Sequence, residues 1–104
     1  MFTEEHAKGA IKKIAELKGV ERAKLIERIL RLETRHFKSK QFQICGSAGM
    51  EMGKWSNLDE SKFTTVVMND NQPDKVKVLQ RVFIKWNSVT DFCLYLSDYI
   101  DRHD

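Results

Sequence analysis

The apolar residues of this chain change their repeat twice, and that change limits the folds open to it. Between residues 3 and 37 they recur at steps of three and four, the spacing of one helix face. Between 63 and 84 they form a β-branched run and then an alternating one, the spacing of strands. From residue 89 onward the helical step returns. A chain that reads helix, helix, irregular segment, hairpin, helix predicts an α+β fold, a helical core with a small β-hairpin lobe. At 104 residues there is room for one core, so a single domain over 1–104 is expected.

The first helix is predicted from Thr3 to Lys18. Thr3 suits the N-cap, and Glu4 and Glu5 suit the positive end of the helix dipole. Ala7, Ala10, Ile11, Ile14 and Leu17 make its apolar stripe, and Gly19 ends it. A second helix runs from about Val20 to Phe37, with Leu25, Ile26, Ile29, Leu30 and Leu32 as its apolar positions. Gly46, Gly49 and Gly53 then crowd the stretch 42–58, which reads as a loop. Phe63–Met68 and the alternation through Val76, Val78, Val82 and Ile84 read as two strands around a turn at 69–74. Ser88 caps the last helix, whose apolar set is Val89, Phe92, Cys93, Leu96, Tyr99 and Ile100.

No run approaches the ~20 apolar residues of a membrane span. Met1-Phe2-Thr3-Glu4-Glu5 is acidic where a secretory signal carries positive charge, so synthesis in the cytoplasm without a signal peptide is expected. Cys45 and Cys93 belong to no Cys-x-x-Cys pair and have no His cluster nearby. Two buried thiols in a reducing compartment are expected, with no metal site and no cofactor. The first 40 residues carry 11 Lys and Arg against 6 Glu, a surplus that suits a polyanion, either nucleic acid or an anionic cell-wall polymer.

One residue breaks the helical pattern. Ile26, Ile29, Leu30, Glu33 and Phe37 are spaced 0, 3, 4, 7 and 11, which sets a carboxyl on an apolar stripe. A carboxyl there loses solvation and holds its proton more tightly. A carboxylic acid that stays protonated near neutrality is what general-acid cleavage of a glycosidic bond needs.

Around this residue, Leu32-Glu33-Thr34-Arg35-His36-Phe37-Lys38-Ser39 resembles the Glu-Thr-Gly-Trp-Gly-Lys-Ser signature of bacterial and phage N-acetylglucosaminidase domains of glycoside hydrolase family 73, the flagellar-muramidase type. Arg35 and His36 stand where the signature has Gly and Trp. The segment from Gly19 to Arg31 is similar to the helix preceding the catalytic Glu of lytic transglycosylases, and Ser47-Ala48-Gly49 to their Ser-Ala-Gly stretch. Val82 to Ser88 with the helix after it is similar to the family's closing strand and helix. The resemblance covers most of residues 20–100 and implies a small lysozyme-like fold. It also implies a peptidoglycan glycan strand as substrate and Glu33 as the catalytic acid. His36, one turn on, is placed to modulate that acid.

The resemblance implies a second carboxylate in the β lobe, with Asp70 the first candidate and Glu51 its rival. A separation of ~5–5.5 Å from the acid fits a retaining mechanism and ~6.5–9.5 Å an inverting one. A lytic transglycosylase needs only the one acid, because the substrate's own hydroxyl is the nucleophile. Trp55, Trp86, Tyr95 and Tyr99 could present stacking faces to sugar rings, with Trp86, Tyr99, Ser47 and His36 the expected substrate contacts. Two alternatives remain open. One is a helix-turn-helix nucleic-acid binder using Arg22, Lys24, Arg28, Arg31 and Arg35, against which the interspersed Glu21, Glu27 and Glu33 weigh. The other is a lysozyme-like wall-binding protein without catalysis.

Overall fold

The computed structural model describes residues 1–70 and 79–103, apart from the side chains of Asp70 and Leu79. Its elements are α1 (Glu4–Lys18), α2 (Val20–Glu33), α3 (Lys40–Cys45), β1 (Phe63–Asp70), β2 (Leu79–Trp86) and α4 (Val89–His103), with a short 3-10 turn at Glu60–Lys62. The fold is α+β, as the periodicity predicts.

Thr3 caps α1 in extended conformation, and its N–H donates to His6 Nδ1 at 2.9 Å. Gly19 alone separates α1 from α2, at φ 96°, a region that favours glycine. The two helices return antiparallel, because Glu4 at the start of α1 meets Arg31 near the end of α2 at 3.5 Å. A one-residue junction between antiparallel helices does not match the open angle and three- to four-residue turn of a helix-turn-helix. Three of the cations that such a module would need are also engaged. Arg22 binds Asp101 at 2.7 Å and the Ser97 carbonyl at 2.9 Å, Lys24 pairs with Glu21, and Arg31 pairs with Glu27 and Glu4.

The Arg22 contacts run α4 antiparallel to α2. Ala7, Ala10 and Ile14 from α1, Ala23, Ile26 and Leu30 from α2, and Val89, Phe92 and Cys93 from α4 share one buried core. Each large apolar side chain fully buried there contributes roughly 1.5–3 kcal/mol. Leu17, Leu25 and Leu32, expected on the buried stripes, are exposed. The buried line of α2 runs through Ala23, Ile26 and Leu30 and continues past the helix end to Thr34 and Phe37. Leu32 lies off that line.

The second helix stops at Glu33, four residues earlier than expected. Arg35, His36 and Phe37 all take positive φ, at 54°, 57° and 67°. For side chains with a Cβ that conformation costs about 1–2 kcal/mol each. Packing and hydrogen bonds hold it. Phe37 is buried against Phe42, with ring centres 5.3 Å apart. The buried Thr34 hydroxyl donates to the Leu30 carbonyl and accepts from the Phe37 N–H at 2.9 Å. His36 N–H reaches back to the Arg31 carbonyl at 2.8 Å.

The stretch expected to be all loop contains α3. Ser39 Oγ accepts from the Phe42 N–H at 3.1 Å, and Gly46 closes the helix in left-handed conformation. At Gly49, φ 73°, the left-handed backbone favours glycine, and a Cβ there would have to push the end of the Gln41 side chain aside.

The strands pair antiparallel in the register Phe63↔Trp86 to Asp70↔Leu79. The expected turn at 69–74 begins later than predicted, since Asn69 and Asp70 still belong to β1; the rest of that turn, with Val76 and Val78, lies outside the described residues. Met50–Met52 adds a third short rung to β2. Ile84 N–H donates to the Met50 carbonyl and Met52 N–H to the Val82 carbonyl, both at 2.8 Å, around a Glu51↔Phe83 bridge. Both faces of the hairpin bury residues. Ile84 and Trp86 join the main core, while Phe83 and Met68 pack with Cys45 of α3. Val82, expected inside, is exposed.

Candidate active site

A cavity of about 320 Å³ opens where the end of α2 meets α4 and the Met50 rung. Ile29 and Glu33 line it from α2, Ala48, Met50 and Trp55 from the glycine-rich segment, and Phe92, Tyr95 and Leu96 from α4. Among the described residues that line it, Glu33 is the one carboxylate and the one charge.

The walls are fixed by packing. Met50 is 2% exposed, and its sulfur accepts from Trp86 Nε1 at 3.4 Å. Tyr95 donates its hydroxyl to the Ser56 carbonyl at 2.8 Å, so its ring cannot turn freely. The half-buried Trp55 ring stands edge-on to Tyr95 and Tyr99, with ring centres 6.3 Å and 5.2 Å away. Edge-to-face pairs of this kind add about 0.5–1.5 kcal/mol beyond area burial. Trp55 is thus a held but accessible aromatic face beside the carboxyl.

Glu33 itself is exposed, which corrects the expectation that it is desolvated. The cause is the path of the buried line, which leaves α2 through Leu30 and Thr34. Glu33 stands beside that line and one turn beyond Ile29, at the cavity rim. Its side chain makes no hydrogen bond or ion pair among the described residues.

The other expected site residues divide. Trp86 is 2% exposed and surrounded by Phe63, Phe92 and Tyr95, so it is a core residue and not a stacking platform of the Glu33 cavity. Tyr99 is half-buried and backs Trp55, and does not line the cavity. Ser47 is fully buried, and its hydroxyl has no hydrogen-bond partner among the described residues. His36 is exposed on the left-handed turn and outside the cavity lining.

Of the two candidate second carboxylates, Glu51 is not among the residues lining the cavity, and the side chain of Asp70 lies outside the described residues. Glu51 bridges to Phe83 and pairs with Lys54 at 3.0 Å and Arg81 at 3.1 Å. Its neighbour Met50 faces the cavity, so by strand alternation Glu51 faces the other way. The hydrogen bonds from Lys54 and Arg81 hold its carboxyl below the ordinary carboxylate range. Asp70 ends β1 opposite Leu79, four residues and about 13 Å further along the hairpin than the Glu51 bridge.

Burial pushes the Cys45 thiol up to about 11 and the Cys93 thiol up to about 12. Both are free and buried, and neither lines the cavity. Among the described residues no group of three His, Cys, Asp or Glu side chains could hold a metal ion, and no helix is long and apolar enough to cross a membrane.

Five cavity residues, Ile29, Ala48, Met50, Phe92 and Leu96, were not legible as site residues. Met50 sits among glycines, where nothing in the sequence marks a strand rung. Thr34 was also missed, although its spacing from Leu30 and Phe37 carries the signal. No protein-family model matches this chain, nor does any curated protein or solved structure.

Proposed function

We propose that this chain cleaves the glycan strand of peptidoglycan, with Glu33 donating a proton to the bridging oxygen and the substrate's own hydroxyl displacing the leaving sugar. The observation that carries this is a single, unpaired carboxylate at the rim of an aromatic cavity that, among the described residues, is lined by no second carboxylate. The left-handed turn supports it as well. Arg35 and Phe37 occupy the two places that the Glu-Thr-Gly-Trp-Gly-Lys-Ser signature fills with glycine, and both take the positive φ that glycine adopts freely.

The chemistry follows from the walls. Trp55 offers an apolar ring face that matches the apolar face of a sugar. A glycan lying across the rim would exclude water from the open side of Glu33 and bring the bridging oxygen to its carboxyl. With no second carboxylate among the described lining residues to activate water, internal attack needs only Glu33, which gives its proton to the leaving oxygen as that bond breaks and takes one back from the attacking hydroxyl as the new C–O bond forms.

Digestion of purified peptidoglycan, with fragments read by mass spectrometry, tests this. Wild type should release muropeptides lighter by one water than the hydrolytic products, and a folded Glu33→Gln variant should release none. Hydrolytic masses would overturn the internal displacement and return attention to Glu51 and Asp70. Release of nothing from several wall types would overturn the glycosidase reading and leave the wall-binding alternative.

A further inference from the structure

We propose that β1 is a self-association edge, pairing antiparallel with β1 of a second copy of this chain to join two sheets into one. Three observations meet there. The outer edge of β1 has no backbone partner among the described residues, since its ladder is made with β2 alone and the Met50 rung adds to the far side of β2. Edge strands are ordinarily protected by a lysine, a proline or a bulge, and Phe63–Asn69 has none of these and no charge. The sheet also carries an exposed apolar row that ends at this edge. Met52, Val82 and Val67 are side by side on one face, 41%, 42% and 59% exposed.

The occupant follows from the same features. A two-fold axis normal to the sheet at Val67 keeps each face on its own side. It sets Val67 against its own copy and runs the row on into the copy's Val82 and Met52. Phe63–Asn69 carries no charge, and in this register Asp70 falls opposite Thr64 of the copy, so the strand meets no like charge in pairing with itself. The partner contributes nothing to the Glu33 cavity, so this inference does not depend on the glycosidase reading.

Light scattering over a concentration series tests it. The mass should rise from 12.2 kDa toward twice that value. Val67→Lys opposes two cations at the axis and should weaken association at least about tenfold, while Val67→Ile should preserve it. Val67 is exposed, so both variants should keep the wild-type circular dichroism and thermal midpoint of the monomer. A wild type that stays at 12.2 kDa throughout would overturn the proposal, including where β1 instead accepts a strand from a different protein. Unchanged association in a folded Val67→Lys variant would also overturn it.

Discussion

The Arg31 guanidinium lies over the Phe37 ring, 5.0 Å from its centre. The same group pairs with Glu27 at 2.8 Å and Glu4 at 3.5 Å, so one side chain joins α1, the last turn of α2 and the left-handed turn beyond it. Arg31→Met keeps most of the apolar stem and removes these contacts. A loss of about 1 kcal/mol is expected, from ~0.5–1 for the cation over the ring and less from the partly exposed ion pairs. Urea denaturation at low and high salt should show the gap between wild type and variant narrowing as salt rises.

The left-handed turn predicts opposite signs for two similar substitutions. Arg35→Gly relieves the torsional cost of an exposed side chain and should stabilise by roughly 0.5–1 kcal/mol, after the backbone entropy of glycine is set against it. Phe37→Gly relieves the same torsion but empties a buried site, and should destabilise by about 2–4 kcal/mol. Denaturant midpoints at constant slope would show this. A destabilised Arg35→Gly would mean that the Arg35 side chain has a role beyond the turn.

Trp86 and Trp55 should separate stability from binding. Trp86→Ala removes a ring 2% exposed in the core and should cost about 3–5 kcal/mol in stability. Trp55→Ala removes a half-buried ring at the cavity and should chiefly weaken affinity for a soluble glycan fragment, by roughly 1–2 kcal/mol on the aromatic contact. Calorimetric titration beside thermal unfolding distinguishes the two. Equal losses of affinity in both would place Trp86 at the ligand.

The thiols should stay silent until the chain opens. Neither Cys45 nor Cys93 is expected to react with a thiol reagent at mildly alkaline pH in the native state, and both should react in denaturant. Their protons are held more tightly when folded, so this contribution is complete below the ordinary thiol range. As pH rises past that range the unfolded chain ionises first, and stability falls until the folded thiols ionise near 11 and 12. Cys93→Ala should flatten that alkaline fall.

Glu51 carries the opposite sign. Its carboxyl is held low by hydrogen bonds from Lys54 and Arg81, so its contribution is present above the ordinary carboxylate range. It is lost as pH falls through the folded value. Glu51→Gln should therefore lose less stability than wild type on acidification, in parallel melts across the acid range. Identical acid profiles would show that these ion pairs are worth nothing measurable.

Most of the fold was legible because it rests on long periodic segments. The stripes Ala7-Ala10-Ile14 and Phe92-Cys93 marked α1 and α4, and Ser88 accepts the Asp91 N–H at 3.1 Å as its position suggested. The six residues of α3 are too few for a period, and Ser39 was the only local sign of its start. The end of α2 was hidden because Arg35, His36 and Phe37 take a left-handed conformation that their own side chains disfavour. Glu33 was legible as a break in the stripe, but its exposure was not. That depends on the chain turning left-handed after Thr34, which draws the buried line away from the helix face. The Met50 rung depends on pairing with β2, 34 residues further along, and distant pairing leaves no local trace.

The single residue at Gly19 gives the helical corner no slack, and this turns the length of α2 into an angular setting. Each residue added or removed within Val20–Glu33 would rotate the end of the helix by about 100° and shift it by about 1.5 Å. One such change swings Glu33 away from the cavity, and two carry it to the far side. Only a change of three or four residues, close to a whole turn, returns it to the same bearing. Descendants of this chain that keep the acid at the rim should therefore vary in the length of this helix by whole turns or not at all.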